Sequence, residues 1–416
     1  MNPFKSNYWS YINTAESELL DQFKKMNNVR EYNQAKILEA MQSVKLSHAD
    51  FHWNTGYGYG DAGREKVESI YAKIFNTEDA LVRPSIASGT HALSLVLDAL
   101  LLSGDKMLSL SDKPYDTLQK VIGITGSEPG NLMEKGVIYS DIPLKNGMLD
   151  IESINTKLLD NVKLVLIQRS MGYTDRAALT ISNIKEAIEK VKIYSPNTIV
   201  MVDNCYGEFT SYDEPSDVGA DITVGSLIKN PGGGIALSGG YLVGKSELIE
   251  RCANKLTAPG LGKDCGLTFG TTRTTLQGLF LAPIVVNNAV KAASLFGYVF
   301  KKLGYAIVPE INQERSDIVQ GIIFNDPEKV ITFCQAVQKA AAVDSHVTPY
   351  PWSMPGYEDE VIMAAGGFID GSSIEISADG PLREPYIAFY QGGLSYDQCK
   401  FALVHVLEDF ESKGFL

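Results

Sequence analysis

DITVGSLIKNPGGG, residues 221–234, opens as a short apolar run that reads as a strand, then presents Ser226 and Lys229 ahead of three consecutive glycines. Solubility is a poor explanation for a lysine set among apolar residues and glycines, because burying its charge costs free energy. Desolvation lowers the pKa of such an amine and makes it a nucleophile suited to a Schiff base. The alternative is a surface lysine whose stem packs while its head reaches water. Just upstream, IVMVDNCYGEF (199–209) is a second buried run, ending in Asp203 and Asn204. In an open α/β sheet the carboxyl ends of strands line the ligand crevice, so a carboxylate there is placed to pair with a protonated pyridine nitrogen. A turn cap is the commoner role of a solitary Asp.

Further upstream, SIASGTHALSLVLDAL (85–100) places Ser-Gly-Thr at the start of an apolar helix, just after the run Ala80-Leu81-Val82. Amides at a helix start are unpaired donors at the positive end of the helix dipole and bind phosphate. Gly89 allows close backbone approach, and Ser88 or Thr90 adds a hydroxyl. A plain N-cap has the same composition. Apolar runs at Ala80–Val82, Lys106–Leu110, Val162–Ile167, Thr198–Val202 and Ile222–Val224, with helical segments such as 182–193 between some of them, predict an α/β chain with a largely parallel sheet. Residues 1–45 read as an N-terminal helical arm, 46–295 as the large domain and 296–416 as a small α+β domain ordered strand, helix, strand, strand, helix: Ile318–Phe324, Pro327–Ala342, Ser373–Ser377, Tyr386–Gln391 and Tyr396–Phe410.

Composition narrows the functional classes. At 416 residues, with 44% hydrophobic and 21% charged residues, the chain has globular proportions. Its net charge of −13, with no Lys/Arg-rich run, points away from nucleic acid and towards small-molecule partners. The longest apolar stretch, Ala92–Leu102, falls short of a membrane span, and the N-terminus lacks the pattern of a secretory signal, so the expectation is a cytoplasmic protein with no membrane partner. Five scattered cysteines without a CxxC pair suggest reduced thiols. His48 and His52 share a helical spacing but lack a third ligand at a fixed offset, so no metal is expected. Gly232-Gly233-Gly234 lacks the Lys-Ser/Thr of a P-loop and reads as backbone crowding near the ligand.

Taken together, the order and spacing of these elements resemble the fold-type I pyridoxal-5′-phosphate (PLP) enzymes of the cysteine/methionine-metabolism group. GYGYGDAGR, VRPSIASGTHAL, PYDTLQKVIG, VDNCYGEF, GSLIKNPGGG, LTAPGLGK, MPGY and FYQGGL resemble the bacterial methionine gamma-lyase-like or "aluminium resistance" family, from about residue 50 to residue 395. The resemblance implies that Lys229 binds PLP as a Schiff base and that Gly89, Thr90 and Ser226 bind its phosphate. It also implies that Tyr115 stacks on the ring and that Asp203 meets the pyridine nitrogen. The better-known γ-lyases carry a Tyr-x-Arg motif that reaches the neighbouring subunit's phosphate; here the sequence is Tyr57-Gly58-Tyr59, with Arg64 the nearest arginine. Tyr57 and Tyr59 are therefore expected to serve a site shared across a homodimer or homotetramer, Tyr57 in the proton chemistry and Tyr59 on the phosphate.

A bidentate arginine is the usual clamp for an amino-acid carboxylate. Arg383, in SADGPLREPY, is the first candidate and Arg169, in IQRSMGY, the second, although either arginine fits a structural ion pair equally well. The expected activity is a carbon–sulfur lyase acting by β- or γ-elimination on a cystathionine-, cysteine- or methionine-like amino acid. A PLP-dependent aminotransferase or aldolase on the same fold is one alternative. A metal-tolerance or regulatory protein with little turnover is another.

Overall fold

The computed structural model describes residues 4–416. The chain begins with two helices, α1 (Tyr8–Glu18) and α2 (Leu20–Ser43), whose apolar faces are buried at Ile12, Ala15, Phe23, Ile37 and Ala40. The large domain then runs α3 (Ala62–Ile74), β1 (Asp79–Arg83), α4 (Gly89–Leu100), β2 (Lys106–Ser109), α5 (Asp116–Ile122), β3 (Ile138–Asp141), β4 (Val162–Gln168), α6 (Ile181–Tyr194), β5 (Ile199–Asp203), β6 (Ile222–Ser226), β7 (Gly240–Gly244) and α7 (Ser246–Leu256). Its seven strands form one sheet in the order β1-β7-β6-β5-β4-β2-β3, parallel from β6 to β3, with β7 antiparallel to both of its neighbours. Strands β5 and β6 are apolar and almost wholly buried because helices cover both faces, which is why they read as unbroken runs rather than alternating ones.

The chain leaves the large domain through α8 (Thr272–Lys302), a 31-residue helix. The expected boundary near residue 295 falls inside it, so no linker divides the domains at that point. Residues Leu276–Val290 of α8 belong to the large-domain core, whereas Ala292–Phe300 belong to the small-domain core. By length and composition α8 could cross a membrane, yet most of that apolar window is buried inside the protein. The small domain follows with β8 (Ala306–Val308), β9 (Val319–Ile323), α9 (Pro327–Lys339), β10 (Val361–Ala364), β11 (Ser377–Pro381), β12 (Ile387–Gln391) and α10 (Tyr396–Ser412). Its five strands form an antiparallel sheet ordered β10-β11-β12-β9-β8, with α9 and the end of α8 packed against the strands and α10 packed on those two helices. The strand expected at Ser373–Ser377 starts only at Ser377 and continues through Gly380 and Pro381.

Glycine packing fixes the segment after β6. A Cβ on Gly232 would lie 1.9 Å from the Leu227 carbonyl, and one on Gly233, at φ +52°, would lie 2.4 Å from the Gly278 carbonyl in α8. The glycine run is therefore crowded against its own turn and against α8, which corrects the expectation that crowding near the ligand explains it.

Candidate active site

A cavity of about 810 Å³ lies between the two sheets, within the size range of small-molecule sites. On its large-domain side stand the ends of three parallel strands, carrying Gln168, Asp203 and Ser226, together with Ser88, Gly89 and Thr90 at the start of α4. On the other side β9, β11 and β12 contribute Val319, Asp379, Phe389 and Gln391. Strand ends meet a helix N-terminus here because each crossover returns the chain to the same edge of the parallel sheet.

Ser88 caps α4 from an extended conformation, its Oγ accepting from His91 N at 3.1 Å. That leaves the Gly89 and Thr90 amides without an acceptor among the described residues. A Cβ on Gly89 would stand 3.3 Å from Cys205 Sγ and 3.4 Å from Ser226 Cβ, so the missing side chain keeps the helix start close to the strand ends. Thr90 Oγ1 lies 2.8 Å from Tyr115 Oη and 3.2 Å from Thr117 Oγ1. The Tyr115 backbone is held by N–H donation to Gln168 Oε1 at 2.9 Å. Burial, reinforced by Asp203, pushes the Tyr115 phenol above its ordinary range.

Asp203 is buried at the end of β5. Its Oδ1 accepts from Cys205 N at 3.1 Å, and the Cys205 thiol also hydrogen-bonds to the carboxylate. Burial raises the Asp203 carboxyl above its usual value, and Lys229 pulls it back. Lys229 is half-buried and makes no ion pair or hydrogen bond among the described residues. Its Nζ stands 3.9 Å from the centroid of the Tyr206 ring. The expected lowering of its pKa is corrected: burial does pull it down, but Cys205, Tyr206, Asp203 and Tyr115 together outweigh burial and hold the ammonium well above its ordinary range. Tyr206 reaches over the lysine from a backbone at φ +72°, a region non-glycine residues rarely occupy.

These residues fit PLP. The free amides of α4 and the Ser226 hydroxyl suit a phosphate, the Tyr115 ring suits stacking, the cavity-lining carboxylate of Asp203 suits a pyridinium nitrogen, and Lys229 is an unpartnered amine.

The remaining candidates are distributed differently. Arg383 lines the cavity, donating from Nη1 to Asp359 Oδ2 at 3.0 Å and lying 3.9 Å from Asp116. Arg169, 0% exposed, turns away from the cavity. Its guanidinium donates to Ser316 Oγ at 3.0 Å and Asn204 Oδ1 at 2.7 Å, and pairs with buried Glu214 at 3.4 Å. It is a structural ion-pair arginine, because Gly207 leaves room for the guanidinium to lie across the backbone, away from the cavity. Tyr57 and Tyr59 are 72% and 75% exposed and do not reach the cavity of their own chain. Their loop is held down by Arg64, which donates to the carbonyls of Gly56 at 2.7 Å and Asp264 at 2.8 Å.

Among the cavity residues that escaped the sequence reading, three stand out. Tyr206 gives no signal beyond its place after Asp203. Arg176 is buried at the cavity wall, donating to the carbonyls of Gln168, Ser170 and Ala177, and burial lowers it to about 10. Asp379 lies in SADGP, a stretch whose glycine and proline argue against a buried strand.

The fold is the one found in the fold-type I pyridoxal-phosphate-dependent proteins. The fold is shared with the pyridoxal-5′-phosphate-dependent protein YhfS of Escherichia coli, at 15% identity and a TM-score of 0.63 over 93% of this chain and 97% of that one. More specifically, the methionine gamma-lyase family profile matches residues 8–411, and the chain belongs to that family. It is 46% identical over 404 residues to the uncharacterized protein YnbB of Bacillus subtilis (strain 168), covering 97% of this chain and 96% of YnbB. It also matches the crystal structure of a carbon-sulfur lyase involved in aluminum resistance from Clostridium novyi NT, at 47% identity and a TM-score of 0.91 over 96% and 94% of the two chains.

Proposed function

We propose that the protein is a PLP-dependent carbon–sulfur lyase that removes a thiol from a sulfur-containing amino acid. The observation that carries this reading is the convergence of Lys229, the buried carboxylate of Asp203 and the unpaired amides of α4 on one cavity. Bound there, the cofactor supplies an electron sink for negative charge developing at the substrate α-carbon. The Gly89 and Thr90 amides and Ser226 hold the phosphate, and Tyr115 fixes the plane of the ring. Asp203 keeps the ring nitrogen protonated. Lys229 would hold the cofactor through its amine, and that amine would move the substrate α-proton as base and acid.

Arg383, which lines the cavity on an ion pair with Asp359, takes the substrate carboxylate in this reading, since Arg176 is held by backbone carbonyls. The net reaction breaks the C–S bond, consumes one water and yields a thiol, a 2-oxo acid and ammonia. Tyr57 and Tyr59, exposed in their own chain, serve the site of a second copy in a dimer or tetramer.

The deciding experiment is a panel of cystathionine, cysteine and methionine analogues with thiol, 2-oxo acid and ammonia all measured. Stoichiometric release of the three supports the lyase. A 2-oxo acid without thiol indicates an aminotransferase, an aldehyde indicates an aldolase, and no turnover with cofactor bound leaves a binding role.

A further inference from the structure

The ring of Tyr206 has a place in the cavity that packing alone does not require. Lys229 Nζ stands 3.9 Å from its centroid, whereas the other lysine–ring contacts among the described residues lie at 5.0–5.7 Å. An ammonium is attracted by the negative face of an aromatic ring, most strongly where water is kept away. The amine has no ion pair or hydrogen bond among the described residues, so the ring is the contact that locates it.

The ring is fixed from two sides. The Tyr206 backbone lies at φ +72°, which a non-glycine residue keeps only when its surroundings impose it. Asn230, 0% exposed and next to the lysine in sequence, imposes it: its Nδ2 donates to the carbonyls of Tyr206 at 3.0 Å and Glu208 at 2.9 Å. At the far end of the ring, Tyr206 Oη accepts from Ser373 Oγ of the small domain at 3.3 Å. The residue after the lysine therefore clamps the turn that carries the ring, and one short stretch of chain sets the spacing of ring and amine.

We propose that Tyr206 is a catalytic residue whose ring receives the Lys229 amine as an ammonium, with Asn230 as the positioning residue that holds the ring there. On the lyase reading, on which this rests, the amine takes the substrate α-proton. The C–H bond breaks, an N–H bond forms, and the electron pair left on carbon passes to the cofactor's electron sink. The ring stabilises the ammonium and not the neutral amine, so it makes the amine a stronger base by the same amount. The competing reading makes Tyr206 an apolar filler, since it also packs on the large-domain core and on the cluster of Met171, Val319 and Phe389. A filler has no effect on the protonation of the amine.

Burial pulls the Lys229 ammonium down, and Cys205, Tyr206, Asp203 and Tyr115 outweigh it. Glu208, with Asp379 and Tyr357 from the small domain, also faces the amine. These groups remain when the ring is replaced, so the share of the ring is read as a difference between variants.

The test is the rate at which Lys229 is modified in the full-length protein after removal of cofactor, followed by mass spectrometry at pH 8 with cyanate and with trinitrobenzenesulfonate. Only the neutral amine reacts. Tyr206→Leu is expected to speed modification of Lys229 about tenfold with both reagents, the worth of a desolvated cation–ring contact. Tyr206→Phe, which keeps the ring and loses the bond from Ser373, is expected to stay within about twofold of the wild type. A change in access, unlike one in protonation, acts differently on the small and the bulky reagent. If Tyr206→Leu does not fold, Asn230→Ala is expected to speed modification in the same direction.

Unchanged rates in Tyr206→Leu, or a factor that differs between the reagents, would overturn the proposal. So would a Tyr206→Phe protein as fast as Tyr206→Leu, which assigns the effect to the hydroxyl. Modification needs no turnover, so thiol release without a change in rate sinks this inference alone, and the expected rates in a protein that releases no thiol sink the lyase alone.

Discussion

Glu208 is a buried acid beneath the lysine segment, and its ionisation should be readable in the stability of the whole chain. It is 0% exposed; Oε1 accepts from Tyr241 Oη at 2.8 Å, and Oε2 has no partner. Burial raises it to about 8 from an ordinary 4.5, with Glu214 adding to the shift and Tyr241 and Lys229 opposing it. Tyr71 and Cys205 face it from α3 and from the loop after β5. Between about 4.5 and 8 the folded chain holds a proton that the unfolded chain has lost, so this group's contribution falls as pH rises through that window and is flat above it. From pH 6 to pH 9 the loss is about 2.7 kcal/mol. For a chain of 416 residues that corresponds to about 3 °C in melting temperature. Glu208→Gln keeps an acceptor for Tyr241 and cannot titrate. Differential scanning calorimetry of both proteins at pH 6 and pH 9 should show the wild type losing about 3 °C more than the variant. Equal losses would refute the assignment of a neutral, proton-holding Glu208.

Borohydride reduction of the cofactor-loaded protein should fix the pyridoxyl group on Lys229 in a peptide map; a label on another lysine would remove it from its role. Asp203→Asn should retain cofactor while turnover falls about a hundredfold or more, since an amide cannot hold the ring nitrogen protonated; near-normal turnover would contradict this. Arg169→Met leaves Glu214 buried and unpaired and should lower stability by about 3–5 kcal/mol in urea unfolding. A loss below about 1 kcal/mol would mean that the pair contributes little. Mixing Lys229→Ala with the Tyr57→Phe/Tyr59→Phe variant under conditions of subunit exchange should restore partial activity, and no recovery after demonstrated exchange would place the tyrosines outside a shared site.

The parallel core was legible because strands covered on both faces are apolar along their length, so the ends at Asp203 and Ser226 stood out against them. Strand β7 went unread because it is glycine-bounded, and β11 because Ser, Asp, Gly and Pro carry no strand signal; sheet pairing overrides propensity there. Asp379 was lost along with its strand. Arg169 misled for the opposite reason: its position at the end of β4 suits a ligand clamp, but side-chain direction depends on Glu214 and Gly207, which lie more than thirty residues away in the chain. The pKa of Lys229 was read from burial alone, and its neighbours are set by tertiary contacts.

Helix α8 carries a consequence for how the protein can be divided. Because one unbroken helix supplies buried residues first to the large-domain core and then to the small-domain core, any cut near residue 295 exposes apolar surface on both fragments. Neither half is a transplantable module, and both should melt in one transition. Movement of one domain against the other must bend or tilt this shared shaft and disturb the cluster of Met171 with Val308, Val319, Ile387 and Phe389 that joins the two domains beside the cavity.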